Sequence, residues 1–242
     1  MRLSILFLGL AGVSAFAQAN IKGKFVFTEE GTRGDGQRYA ALANLSFDEN
    51  GTVVGNEVLR AKDSTTFYAV QGTYTMRTDN TGSITLTLIS DEDADGNRSH
   101  MTENLSVFRS ASGEIAAVRS NAGFNGAARL SPAPAQGPNG DYLLVESSAD
   151  GFARAARIKI DALNVTGDEV KQTNGESSSR KAQGTRMPDV PGFAKIMLSF
   201  SATDAEGTIS TTTETLLVLA TADGARAIRT DGMASGVLGL IR

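Results

Sequence analysis

The chain has 242 residues, with 23 basic against 27 acidic side chains, a single His, and neither Cys nor Trp. Without Cys there can be no disulfide framework, thiolate zinc site, catalytic cysteine or lipid-modified N-terminal cysteine, and one His makes no pair around a transition metal. A net charge of -4 leaves no basic footprint to neutralise phosphates, so nucleic acid is not an expected partner.

The chain opens with Met1-Arg2 and an apolar run from Leu3 to Val13 that is too short for a permanent membrane helix, closing on Ala15-Phe16-Ala17-Gln18. A positive start, a brief apolar stretch and small residues at the peptidase positions read as a signal peptide over residues 1–17, with cleavage after Ala17 or, as an alternative, Ala19. The expected location is therefore secreted or periplasmic. No later stretch reaches the roughly 20 apolar residues of a spanning helix, so no membrane span is expected.

From there the pattern is one of strands. Lys24 to Thr28, Tyr39 to Phe47, Ser83 to Leu88 and Lys195 to Phe200 alternate with period two, and no run places apolar residues at three-to-four spacing. Between strands lie Asp48-Glu49-Asn50-Gly51, Asp79-Asn80-Thr81-Gly82, Ser110-Ala111-Ser112-Gly113, Asp204-Ala205-Glu206-Gly207 and Ala222-Asp223-Gly224. Such segments supply the positive-φ residues of short hairpin loops. The expected fold is all-β and antiparallel.

Residues 131–139, Ser-Pro-Ala-Pro-Ala-Gln-Gly-Pro-Asn, read as a Pro/Gly-rich linker. Across it the chain repeats itself at an offset of about 110 to 117 residues. Gly23-Lys24-Phe25 answers Gly140-Asp141-Tyr142, Tyr39 to Asp48 answers Phe152 to Asp161, and Val53 to Val58 answers Val165 to Val170. Gln71-Gly72-Thr73 then answers Gln183-Gly184-Thr185, Glu103 to Phe108 answers Glu214 to Leu219, and Ala117 to Gly126 answers Ala227 to Gly236. Each copy, 18–130 and 140–242, has room for about eight strands, the number that closes a small up-and-down barrel and removes unpaired edges. Two tandem meander β-barrels are expected, with two β-sandwiches as the alternative. In the second copy the run Asn174 to Lys181, followed by Pro188 and Pro191, predicts a mobile loop in place of clean strand pairing.

Through Leu45-Ser46-Phe47-Asp48-Glu49-Asn50-Gly51 and Gly72 to Leu86, the chain resembles secreted β-rich tandem-repeat proteins of environmental bacteria with a calycin-like build. The resemblance implies fold and export, and no activity.

Asp91, Asp93 and Asp95, with Gly96 following, match the front half of a calcium loop, in which alternate carboxylates converge on one cation. The closing acidic ligand is missing, since Thr102 stands at the twelfth position, so calcium is weighed against a solvated hairpin tip. Glu103 and Arg119 fall on the two arms of one hairpin, as Glu214 and Arg229 do in the second copy, and read either as cross-strand ion pairs or as polar ligand contacts inside a barrel. Tyr39, Phe47 and Tyr74 are candidates for a ligand pocket or for core. His100 follows the acidic loop, and no Gly-x-Ser-x-Gly elbow or P-loop occurs. No catalytic residue is assigned.

The sequence thus points to an exported, non-enzymatic binding protein. Its expected ligand is a small apolar molecule inside a barrel, touched by Tyr39, Phe47, Tyr74, Glu103 and Arg119. The alternative is a structural or adhesive envelope protein, calcium-stabilised through Asp91, Asp93 and Asp95.

Overall fold

The computed structural model describes residues 20–62, 64–93, 95–147, 152–188, 193–231 and 237–241; the expected signal peptide, residues 1–17, lies outside them. The first eight strands are β1 (Gly23–Arg33), β2 (Arg38–Phe47), β3 (Thr52–Ala61), β4 (Ser64–Met76), β5 (Thr81–Ser90), β6 (His100–Arg109), β7 (Ile115–Arg119) and β8 (Phe124–Pro132). The second eight are β9 (Gly140–Ser147), β10 (Phe152–Asp161), β11 (Asn164–Thr173), β12 (Glu176–Pro188), β13 (Ala194–Thr203), β14 (Ile209–Thr221), β15 (Gly224–Arg229) and β16 (Val237–Ile241). Within each barrel every strand pairs antiparallel with its sequence neighbours, β1 closes on β8, and β9 closes on β16. The molecule is two closed eight-stranded barrels in tandem.

Strand parity decides what fills each barrel. In the first, Phe25, Phe27, Ala43, Leu45, Val53, Leu86, Leu105 and Leu130 point inward and form one core. In the second, the matching positions hold Tyr142, Leu144, Ile158, Val165, Leu198, Leu216 and Leu240. The repeated Gln-Gly-Thr has a steric cause. A Cβ at Gly72 would stand 2.1 Å from the Thr85 carbonyl oxygen, and one at Gly184 would stand 2.0 Å from that of Met197. Only glycine fits where the neighbouring strand's backbone comes so close.

Three hairpins are turned by one device. In 48–52, 93–97 and 204–208 the leading Asp accepts backbone N–H bonds from residues two and four places on, while Gly51, Gly96 and Gly207 take positive φ. These bonds hold the Asp48 and Asp93 carboxyls below the ordinary value.

The expected loop over 174–181 is instead a strand. β12 pairs along its length with β11 and β13, after an Asn174-Gly175 turn. Its exposed parity is Ser, Lys and Gln, and its inward parity holds Arg180, Ala182 and Gly184. Ladder hydrogen bonds do not depend on side-chain polarity, so a polar run on a barrel wall pairs as well as an apolar one.

The barrels pack wall to wall. Outward-facing Val26, Ala40, Leu42 and Val58 of the first meet Phe193, Leu217, Leu219 and Ile228 of the second in a shared cluster. Consequently β2 is buried on both faces from Tyr39 to Ala43. Polar contacts flank the cluster: buried Arg60 donates to the Thr230 carbonyl at 2.8 Å, and Glu30 accepts from the Val237 amide at 2.6 Å.

Because position 42 faces away from its own barrel's core, Leu42→Asp is expected to leave both barrels folded but to uncouple them. Calorimetry should show one cooperative transition in the wild type and two in the variant, with the first barrel's lowered.

Candidate functional site

The end of the first barrel that carries the β5–β6 loop differs in chemistry from the rest of its interior. Four charged side chains point inward there from different strands: Glu29 from β1, Glu57 from β3, Glu103 from β6 and Arg119 from β7, each at most 4% exposed. All four fall on the inward parity of otherwise apolar strands, so closure of the barrel forces them together. The Arg119 guanidinium reaches Glu29 at 2.7 Å and also contacts Glu103. Tyr39 donates its hydroxyl to Glu29 at 2.5 Å. Above them Phe124 packs edge-on to Tyr39, and the Arg119 guanidinium lies 4.7 Å from the Phe124 ring centre. Arg33 stays at the rim, 5.8 Å from the same ring. Half-buried Tyr68, Met101 and Phe124 complete this end with Leu59 and Ala61.

The Glu103 oxygens lack a hydrogen-bond partner but contact Arg119, whereas Glu57 makes no ion pair among the described residues. It is fully enclosed, and among the described residues neither of its carboxylate oxygens has a hydrogen-bond partner. Burial pushes its pKa up, the Glu29 charge adds to the rise, and Arg119 opposes it, leaving Glu57 at about 8. The Tyr39 hydroxyl is pushed up in turn by burial and by its bond to Glu29.

The second barrel repeats the same positions with a different outcome. Glu146, Glu169, Glu214 and Arg229 occupy the places of Glu29, Glu57, Glu103 and Arg119, and two further arginines join them. Arg154 lies 2.6 Å from Glu146, 2.6 Å from Glu214 and 3.3 Å from Glu169. Arg180 binds Glu169 and donates to Thr212 at 2.7 Å. Arg229 reaches Glu146 at 2.9 Å and Glu214 at 3.0 Å. Burial works against the Arg154 charge, but Glu146 and Glu214 outweigh it and raise its pKa. Phe200 floors the network, 4.8 Å from the Arg180 guanidinium and 5.6 Å from that of Arg154.

Of the residues singled out from sequence, Tyr39, Glu103 and Arg119 come together at this end. Phe47 and Tyr74 do not: they pack edge-on against each other near the opposite end, where the Tyr74 hydroxyl faces the Ile21 and Asp48 carbonyls. Among the described residues no three acidic or His side chains are disposed to hold a metal, Asp91, Asp93 and Asp95 included. The Asp93 carboxylate instead caps its own turn. His100 is exposed and pairs with Ile89 on the neighbouring strand. Glu29, Glu57, Arg154, Glu169 and Arg180 escaped the sequence reading. Their signal was a charged residue at core parity on an alternating strand, in most cases repeated in the second copy.

A separate groove of about 250 Å³ lies between the barrels, where Ala133 to Pro138 cross β1 and β2 and meet Val218 to Ala220. The chain matches no family model, no curated protein and no solved structure.

Two outcomes are expected from these charges. Folded Glu57 keeps its proton where an unfolded glutamate, titrating near 4.5, has lost it. The group therefore subtracts stability as pH climbs from about 4.5 to about 8, and its effect is constant outside that window. Glu57→Gln should match wild type near pH 4 and exceed it by on the order of a few kcal/mol at pH 8, in urea titrations at both values. In the second barrel, Arg154→Ala strands buried carboxylates and should cost about 3–5 kcal/mol in the same titrations.

Proposed function

We propose that the protein is an exported, non-enzymatic binding protein that holds a small molecule in the charged end of its first barrel. One observation carries this reading: a fully buried carboxylate, Glu57, whose oxygens have no partner among the described residues. An unpartnered buried polar group costs roughly 1–3 kcal/mol, and a carboxylate kept in that state beside an accessible rim fits a site that a polar ligand completes. The half-exposed rim of Tyr68, Met101 and Phe124 gives that partner an approach. The ligand suggested by the sequence was apolar; an apolar body alone would leave Glu57 unsatisfied, so the reading favours a ligand with a hydrogen-bonding group. Export rests on the signal peptide pattern of residues 1–17.

A second reading, a structural or adhesive envelope protein, draws on a different observation. Leu143, Val145 and Ile241 stand exposed on the outer face of the adjacent strands β9 and β16. Contiguous exposed apolar residues mark surfaces that other proteins cover.

Native mass spectra of residues 18–242 isolated from their own compartment separate the two. The expected result is a small-molecule adduct that disappears on denaturation and is missing from Glu57→Ala. A bare mass, together with no rise in melting temperature on adding millimolar cationic, anionic, neutral or fatty probes, overturns ligand binding and leaves the surface reading.

A further inference from the structure

We propose that the ligand of the first barrel is a small organic cation, a guanidinium or primary amine on a short apolar stem, seated among Glu57, Glu29 and Glu103. This deepens the binding reading above and rests on it. The argument comes from the duplication, because the second barrel shows what the shared carboxylates accept when they are fully paired.

The two interiors superimpose position by position through their registers. Arg154 stands opposite Glu146 on the neighbouring strand, and Ala41 stands opposite Glu29 in the same place. Arg180 stands opposite Glu169, and Tyr68 stands opposite Glu57. Where the second barrel sets three carboxylates against three guanidiniums, the first keeps the three carboxylates with Arg119 as the one inward-facing buried cation among the described residues, buried Arg60 pointing outward to Thr230. Both missing guanidiniums are the ones that touch Glu169, so both losses fall on Glu57. The replacement of Arg154 by Ala41 also removes everything beyond Cβ from the position that an arginine side chain fills in the other copy.

A planar guanidinium meets such carboxylates through paired N–H donors, and an ammonium does so as a point charge. Tyr68, in the place of Arg180, puts an aromatic side chain on the strand position opposite Glu57, and aromatic rings attract cations. The β5–β6 loop at the same end carries exposed Asp91, Glu92, Asp93 and Asp95, Glu92 being paired with Arg98, and Asp35 lies in the β1–β2 loop across that end. Acidic residues around a low-dielectric mouth concentrate cations and speed their entry. A bare metal ion is a poorer fit, since no metal-holding group of carboxylates exists among the described residues.

Without ligand, the proton on Glu57 takes the place of the missing cation, in the field of Glu29, Glu103, Arg119 and the Tyr39 hydroxyl. Cation entry displaces that proton, so binding tightens as pH rises and releases protons to the buffer.

Calorimetric titration of residues 18–242 with agmatine, butylamine, butanol and glutarate tests this. Agmatine and butylamine should bind at least about tenfold more tightly than butanol, with affinity rising from about pH 6 to about pH 9 and with heats that depend on the buffer's ionisation enthalpy. Ala41→Arg, which returns the second barrel's guanidinium to the first, should raise the melting temperature and abolish agmatine binding. Glu57→Gln keeps the side chain's shape and should weaken agmatine by about tenfold or more and flatten the pH dependence; it decides the matter even if Ala41→Arg does not fold. Butanol or glutarate binding best overturns the cation and leaves ligand binding standing. Ala41→Arg that folds but binds agmatine as wild type does overturns the placement. No heat from any probe, with a bare native mass, overturns both readings.

Discussion

A charge placed inside a closed barrel has no edge through which to reach water, and that constraint organises both interiors. Both copies carry three glutamates and one arginine at matching inward-facing positions, to which the second adds two further arginines, so closing the sheet and neutralising the carboxylates are a single problem. The second barrel solves it with ion pairs from its own chain, Arg154 on β10 and Arg180 on β12. In the first barrel one carboxylate is shared between Tyr39 and Arg119, one leans on Arg119, and Glu57 retains a proton. The apolar remainder of each core is ordinary by comparison. It supplies the driving force for collapse, while the charged end determines which barrel is complete in itself.

This division gives the duplication a physical meaning. Two copies of one scaffold share strand count, register, close-approach glycines and turn chemistry, and they diverge where Ala41 takes the place of Arg154 and Tyr68 the place of Arg180. A buried network of three ion pairs rarely adds net stability over apolar packing, because desolvation consumes most of the Coulombic gain. Its persistence in the second barrel therefore follows from the inherited carboxylates, which remain costly unless matched. The second barrel then serves the first as a wall: β14 and β15 cover the outer faces of β1 to β3 and hold β2 between two apolar surfaces.

Much of this was legible in the residues themselves. Alternation and Asp-x-x-Gly turns gave the strands, and six repeated blocks gave the two barrels. The Glu103–Arg119 pair followed from counting outward from the Ser112-Gly113 turn; the register puts Arg119 opposite Leu105, one step along the same face from Glu103. β12 was hidden because Ser177 to Lys181 carries no apolar alternation, although the ladder needs none. Phe47 and Tyr74 looked like pocket residues because aromatic content cannot tell the two ends of a barrel apart. Within the calcium-like spacing that starts at Asp91, Asp93 caps a turn in the way Asp48 and Asp204 do. Glu57 was on view within a repeated block, yet its isolation depends on what Tyr68 and Ala41 are not, which only the register reveals.

The shared wall also bears on how the chain is made. Val26, Ala40, Leu42 and Val58 belong to strands that emerge early, and the residues that cover them, Phe193, Leu217, Leu219 and Ile228, come about 135 to 200 residues later. During that interval a finished first barrel displays an apolar stripe that has nothing to rest on. Nascent chains in this state are exposed to sticking to one another through those stripes, so the time between the two halves is when the molecule most needs a chaperone's cover.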